Sequence, residues 1–242
     1  MSENPTSEDS DSAAASHSDP AARVHRWVVL IIVAVMAIDL VPVLIRQQWL
    51  SAALILTIAG LLLGSTLARG KLTVRVPYEF QLMTLVFVFA ALFLGEVRSY
   101  YIRFWWWDIA LHTASGFLLG IFGFLLVYLL NESKNVAIEM LPRFVALFAF
   151  LFAVAVGAVW EIFEFTIDWA FGTQMQKPML GDDSGLTDTM WDLIVDTIGA
   201  ASIALLGWWR MAGNRTSFID VWIQKFVDQN PRLFERGEQR EA

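Results

Sequence analysis

The sequence predicts an all-α, polytopic membrane protein: a helix bundle of about six transmembrane helices with both termini in the cytoplasm. Three observations lead to this fold class: the share of hydrophobic residues, their arrangement in long blocks, and the placement of Lys and Arg. Hydrophobic residues make up 57% of the chain and the mean hydropathy is +0.54. Soluble domains hold about 45–50% apolar residues, so the excess indicates segments that lie in lipid.

Six apolar blocks have the length that a bilayer span requires, which is about 20 predominantly apolar residues. They divide the chain into a disordered cytoplasmic tail at 1–26, a six-span transmembrane domain at 27–210 and a cytoplasmic tail at 211–242. The first tail is rich in Ser, Asp, Glu and Ala, a composition typical of disorder. The blocks are residues 27–46, 49–68, 79–97, 108–130, 143–170 and 190–209.

The orientation follows from Lys and Arg, which are enriched in cytoplasmic loops. With the N-terminus inside, 13 of the 17 Lys and Arg residues lie on the cytoplasmic side, and the other four lie outside. In the C-terminal tail, Phe218, Trp222 and Phe226 recur at helical spacing among charged residues. This pattern predicts a short amphipathic helix on the cytoplasmic surface of the membrane.

Composition also excludes several classes of function. The chain has no cysteine, which excludes disulfides and thiolate chemistry. Its net charge of -7 argues against a nucleic-acid partner, because binding to nucleic acid requires clustered Lys and Arg. Membrane lipids are therefore the expected partners.

The most informative feature is a run of eight carboxylates between Glu161 and Asp196, interrupted by one cation, Lys177. Ionisable groups at membrane depth are costly and usually functional. In the predicted topology, the fifth span ends at the outer leaflet, and the fourth and sixth spans begin there. The acidic residues of all three spans therefore lie near the outer leaflet. The eight are Glu161, Glu164, Asp168, Asp182, Asp183, Asp188, Asp192 and Asp196.

Helical spacing places these side chains on shared faces, because residues three or four positions apart are neighbours on a helix. Like charges in a low dielectric repel unless protons or a cation intervene, so the sequence predicts a divalent cation. Oxygen ligands favour Mg²⁺ or Mn²⁺, and the single imidazole is also compatible with Zn²⁺ or iron. His112 and Glu161 are the candidate catalytic residues, as general bases. The predicted metal ligands are Asp108, His112, Glu161, Glu164, Asp188, Asp192 and Asp196.

Simpler roles are open for some of these residues. Asp108 and Asp188 each begin an apolar segment, where a carboxylate could cap a helix. His112 could form a hydrogen bond to a neighbouring helix in place of binding a metal.

Three stretches resemble the YjdF-like family of uncharacterised bacterial inner-membrane proteins: WWWDIALHTASGFLLG (105–120), VWEIFEFTIDWAFG (159–172) and GLTDTMWDLIVDTIGA (185–200). The last two also resemble the broader VanZ-like pattern. The resemblance covers about residues 25–210 and implies a multi-pass protein of the bacterial inner membrane. By position, the family's polar signature falls on the seven predicted metal ligands. The resemblance implies no particular reaction.

Three functions fit these observations. The first is a cation-dependent site at the outer leaflet that acts on a lipid or a lipid-linked phosphate. The second is an ion- or proton-coupled transporter, in which carboxylates and a histidine relay protons. The third is a non-catalytic membrane scaffold with a structural cation. The sequence leaves open whether the protein is an enzyme, and its oligomeric state.

Overall fold

A computed structural model of the chain describes residues 20–67, 76–131, 140–213 and 218–230. Regular structure in these ranges is helical, apart from an isolated bridge between Met179 and Asp182. The chain forms two compact units, Met1–Tyr100 and Tyr101–Ala242. The helices are α1 (Pro20–Ile45), α2 (Trp49–Leu67), α3 (Tyr78–Val88, followed by the π-helical segment Phe89–Val97), α4 (Tyr100–Arg103), α5 (Trp107–Asn131), α6 (Pro142–Phe171), α7 (Leu186–Ala212) and α8 (Phe218–Gln229).

The predicted all-α, multi-pass fold is confirmed. Among the described residues, five helices are long and apolar enough to cross a membrane, and they match five of the six predicted blocks. The remaining block, 49–68, forms helix α2, which is apolar at least from Ser51 to Gly64. A helix of 19 residues is about 28 Å long, so α2 is close to the limit for a hydrocarbon core of about 30 Å.

The first unit packs α1, α2 and α3 around buried side chains that include Met36, Ile55 and Phe93. The third helix continues into a π-helical stretch, whose wider turns end with the Arg98 N–H donating to the Phe93 carbonyl at 2.9 Å. The Arg98 guanidinium also pairs with the Asp39 carboxylate at 3.1 Å. The membrane-depth charge of Asp39 is thus balanced within this unit.

The second unit packs α5, α6 and α7 against one another. Glycines allow the closest approaches, as is usual between membrane helices. A Cβ atom on Gly116 would collide with the backbone carbonyl of Asp196, and a Cβ atom on Gly199 would collide with that of Thr113. Helices α5 and α7 are therefore in backbone contact at the level of these residues.

Helix α8 lies in the C-terminal segment, where it contacts α5 and buries Phe226; its position on the membrane surface stays a prediction. At the other end of the chain, α1 begins at Pro20, before the predicted start of the first span at residue 27. The rest of the predicted N-terminal tail, residues 1–19, lies outside the described ranges.

Candidate functional site

The imidazole of His112 lies at the centre of a buried acidic cluster in the second unit. Its Nδ1 atom is 3.2 Å from Asp196 Oδ2 and 3.9 Å from Glu161 Oε1. Its Nε2 atom is 3.6 Å from Asp108 Oδ1 and 3.8 Å from Asp192 Oδ2. Four carboxylates from three helices thus surround one histidine, and we call these five residues the His112 cluster.

Each helix brings its part of the cluster to the same level. Helix α5 supplies Asp108 and His112 one turn apart, α7 supplies Asp192 and Asp196 one turn apart, and α6 supplies Glu161. Neighbouring small residues leave the space that these side chains need. A Cβ atom on Gly157 of α6 would lie 2.7 Å from Asp196 Oδ2, so a larger residue there would displace this carboxylate.

Asp196 orients the histidine. Its Oδ2 atom is within hydrogen-bond distance of His112 Nδ1, and the Ser115 hydroxyl donates to its Oδ1 at 2.5 Å. Because a carboxylate accepts hydrogen bonds, this contact favours the tautomer with the proton on Nδ1. The lone pair of Nε2 is then directed to the side where Asp108 and Asp192 lie.

Two carboxylates of the cluster are buried without a hydrogen bond of standard geometry from a described residue. Glu161 is 4% exposed and Asp192 is 1% exposed, and the Thr189 hydroxyl is the side chain that lies beside Glu161. Leaving a buried charged oxygen unsatisfied costs about 1–3 kcal/mol or more. Protons, a cation or water beside these four oxygens would remove that cost.

The cluster has a donor set that fits one divalent cation. The ligand atoms of Asp108, His112 and Asp192 all lie within 4.8 Å of one another. A cation with ligand distances of about 2.0–2.4 Å would hold such atoms after a small inward movement of the side chains. Two carboxylates and one imidazole fit Mn²⁺ and Mg²⁺ through oxygen, and Zn²⁺ and iron through nitrogen.

The two other predicted ligands, Glu164 and Asp188, lie beside the His112 cluster but do not contact its imidazole. Glu164 accepts a hydrogen bond from the Trp160 indole at 2.9 Å. Asp188 accepts the backbone N–H of Lys177 at 2.6 Å through Oδ2, whereas its Oδ1 atom is buried without a described partner. Both share a helix face with a cluster member but lie about one turn closer to the connecting segment 172–185, so neither comes within ion-pair distance of His112.

Carboxylates also tie the connecting segment 172–185 to its flanking helices. Asp168, at the end of α6, accepts hydrogen bonds from the Thr173 hydroxyl and from the backbone N–H groups of Met175 and Gln176. The Gln176 amide donates to the Thr189 hydroxyl of α7 at 2.6 Å. The acidic run identified in the sequence therefore contains both cluster residues and structural anchors.

Asp182 is one of these structural anchors. Ser184 and then Thr187 donate hydrogen bonds to its carboxylate and hold its pKa well below the usual range. The contact with the Thr187 N–H satisfies one of the free donors in the first turn of α7. Asp183, its neighbour, is exposed.

The chain belongs to a family described as Predicted membrane protein (DUF2238), which matches residues 24–213. A relative from Thermotoga maritima, described as an uncharacterized protein, is 31% identical over 139 residues, which are 57% of this chain and 67% of that protein. No solved structure matches the chain. The fold, the apolar helices and the family together define a multi-pass membrane protein with a buried acidic and histidine cluster.

Proposed function

We propose that this protein holds a divalent cation in the His112 cluster and uses it to act on the phosphate group of a lipid or a lipid-linked substrate. The observation that carries the proposal is the set of buried, unsatisfied oxygens of Glu161 and Asp192 beside His112. A cation bound beside His112 would satisfy the oxygens of Asp192 without protonating them, and the carboxylate of Glu161 would stay available to accept a proton. This assignment includes the expected location, the bacterial cytoplasmic membrane, with the cluster near the outer leaflet.

The geometry divides the cluster into ligands and supporting residues. Asp108, Asp192 and the Nε2 atom of His112 are the proposed ligands, because their donor atoms lie together. Asp196 is the supporting residue, since it holds the opposite nitrogen and thereby fixes the tautomer. Mn²⁺ and Mg²⁺ fit the two carboxylates, and the imidazole makes Mn²⁺ the better of the two.

The two candidate catalytic residues take different roles in this arrangement. A bound divalent cation would screen the charge of a phosphate group and polarise its oxygens. In this arrangement the Nε2 atom of His112 would bind the cation and its Nδ1 atom faces Asp196, so neither nitrogen would be available as a base. Glu161, whose oxygens accept no described hydrogen bond of standard geometry, is then the proposed proton acceptor for an attacking hydroxyl group.

The YjdF-like and VanZ-like resemblances support the location and leave the reaction open. Three parts of the chain carry them, and two of these, 105–120 and 185–200, supply all the proposed ligands. A substrate with a lipid anchor is proposed because the cluster lies in helices that are apolar enough to span a membrane. Such a substrate would reach the cluster from the bilayer.

A turnover assay tests the proposed reaction. We expect the purified protein with Mn²⁺ to release or transfer phosphate from at least one member of a panel of phosphorylated membrane lipids. Glu161→Gln should lower kcat by about 10²–10⁴-fold, the typical contribution of a general base, and should still bind the cation. Asp183→Asn, which removes an exposed carboxylate from segment 172–185, is the matched control and should keep full activity. No turnover of any lipid by a cation-loaded protein would contradict the reaction while leaving the cation site intact.

A specific observation also favours one alternative, proton-coupled transport. His112 has a carboxylate on each side of its ring, an arrangement that could pass a proton from one nitrogen to the other. Transport requires a polar route through the whole membrane, however, and α6 carries no charged residue between Arg143 and Glu161. Proton or Na⁺ flux into proteoliposomes would favour the transporter, and cation binding without flux or turnover would favour the structural scaffold.

A further inference from the structure

A second site lies in the same three-helix unit, at the end opposite the His112 cluster. Helices α6 and α7 run antiparallel there, and a groove of about 320 Å³ separates their side chains. Arg143, Leu147 and Phe150 line it from α6, and Ala201, Ala204 and Trp208 line it from α7. Its size is at the lower end of the range for small-molecule sites, about 300–1,000 Å³.

The sequence explains why the groove forms. Its residues on each helix recur at three- and four-residue intervals, so they form one face of α6 and one face of α7. The small side chains of Ala201 and Ala204 line the bottom of the groove, and the larger side chains of Leu147, Phe150 and Trp208 line its sides. The result is an open apolar groove along about two turns of each helix, and its lining suits a hydrocarbon chain.

The end of the groove carries positive charge. Arg143, in the first turn of α6, is the charged residue among those that line the groove. Within the described ranges, no carboxylate lies at ion-pair distance from its guanidinium. An arginine at the end of an apolar groove is complementary to a phosphate that is joined to an acyl chain.

We propose that this groove binds an anionic glycerophospholipid, with one acyl chain between α6 and α7 and the phosphate on Arg143. The lipid belongs to the leaflet opposite the one that faces the His112 cluster. Its site therefore differs from the proposed reaction site in position and in chemistry, and the two are tested independently.

Native mass spectrometry of the detergent-solubilised protein tests this inference. The probes are phosphatidylglycerol and phosphatidylcholine with identical acyl chains, added in equal amounts. We expect the parent protein to prefer phosphatidylglycerol by about tenfold, which corresponds to about 1.4 kcal/mol and to a charge-assisted hydrogen bond. Arg143→Gln should remove the preference, and Arg46→Gln, in the exposed turn between α1 and α2, should retain it.

A second pair of variants tests the apolar groove. Ala201→Leu fills the groove and should weaken binding of both lipids, while Ala155→Leu adds the same volume to an exposed position of α6 and should not. If either Arg143→Gln or Ala201→Leu behaves like the parent protein, the proposal is overturned. A changed oligomeric mass in Ala201→Leu with unaltered lipid binding would instead identify the groove as a protein contact and would also overturn it.

Discussion

Replacement of Gly116 or Gly199 by alanine is expected to destabilise the second unit strongly. In each case the new methyl group would enter the backbone of the facing helix, that of Asp196 or that of Thr113. A backbone carbonyl cannot rotate away as a side chain can, so α5 and α7 must separate. Overpacking of this kind costs about 1–3 kcal/mol, and more where the neighbour is rigid. Thermal unfolding of the detergent-solubilised variants should show a Tm lowered by several degrees.

Gly60→Ala is the matched control for this prediction. Gly60 lies in helix α2, and a Cβ atom there would meet nothing within 4 Å. Alanine is favoured over glycine in a helix by about 1 kcal/mol, so this variant should be as stable as the parent protein or slightly more stable. A Tm for Gly116→Ala and Gly199→Ala equal to that of the Gly60→Ala protein would show that α5 and α7 are not in backbone contact.

The second large effect is expected from Asp192→Asn. Whether this variant is more or less stable than the parent protein should depend on the presence of a divalent cation. Without a divalent cation, the parent protein holds four carboxylates around one histidine, and removing one charge relieves their repulsion. The variant should therefore be at least as stable as the parent protein in EDTA. With Mn²⁺ at about 100 times its Kd, the parent protein should gain about 2.7 kcal/mol, or roughly 5–10 °C in Tm.

Asp192→Asn should gain almost none of this stabilisation, because it loses a proposed ligand. Asp183→Asn removes the same charge from an exposed position and should respond to Mn²⁺ as the parent protein does. If the parent protein and Asp192→Asn are stabilised equally, the cation binds elsewhere. If neither is stabilised, the carboxylates of the His112 cluster carry protons.

The helices were predictable from the sequence because they depend on local patterns. Long apolar blocks predicted α3, α5, α6 and α7 to within a few residues, whereas α1 begins at Pro20, well before the predicted start of its block at 27. The i, i+4 spacing placed Asp108 with His112 and Asp192 with Asp196. The block at 49–68 was predicted in the same way, and α2 covers nearly all of it, from Trp49 to Leu67.

The arrangement of the cluster was less predictable, because it depends on the depth at which three helices meet. Periodicity gives the face of a helix but not this depth, so Glu164 and Asp188 were grouped with Glu161 and Asp192. Ser115 is not among the predicted site residues, although its hydroxyl donates to Asp196. Its position three residues after His112, on the same face, is the signal that could have indicated a contact with the cluster.

The role of Gly157 was also not predictable from the sequence, because it depends on how two helices pack. In the sequence it is one of several small residues in apolar helices, and such residues predict close packing in general. Only the crossing of α6 and α7 shows that it leaves room for the carboxylate of Asp196. Its role depends on a residue that is 39 positions away in the chain.

Pulsed EPR of the Mn²⁺-loaded protein tests the central claim most directly, because it detects nitrogen atoms bound to the metal. The chain has three histidines, and within the described ranges His112 is the one that lies in the cluster. We predict coupling of Mn²⁺ to a single imidazole nitrogen, present in the parent protein and in His25→Gln and absent in His112→Gln. Mn²⁺ bound without this coupling, or coupling that persists in His112→Gln, would contradict the proposed site.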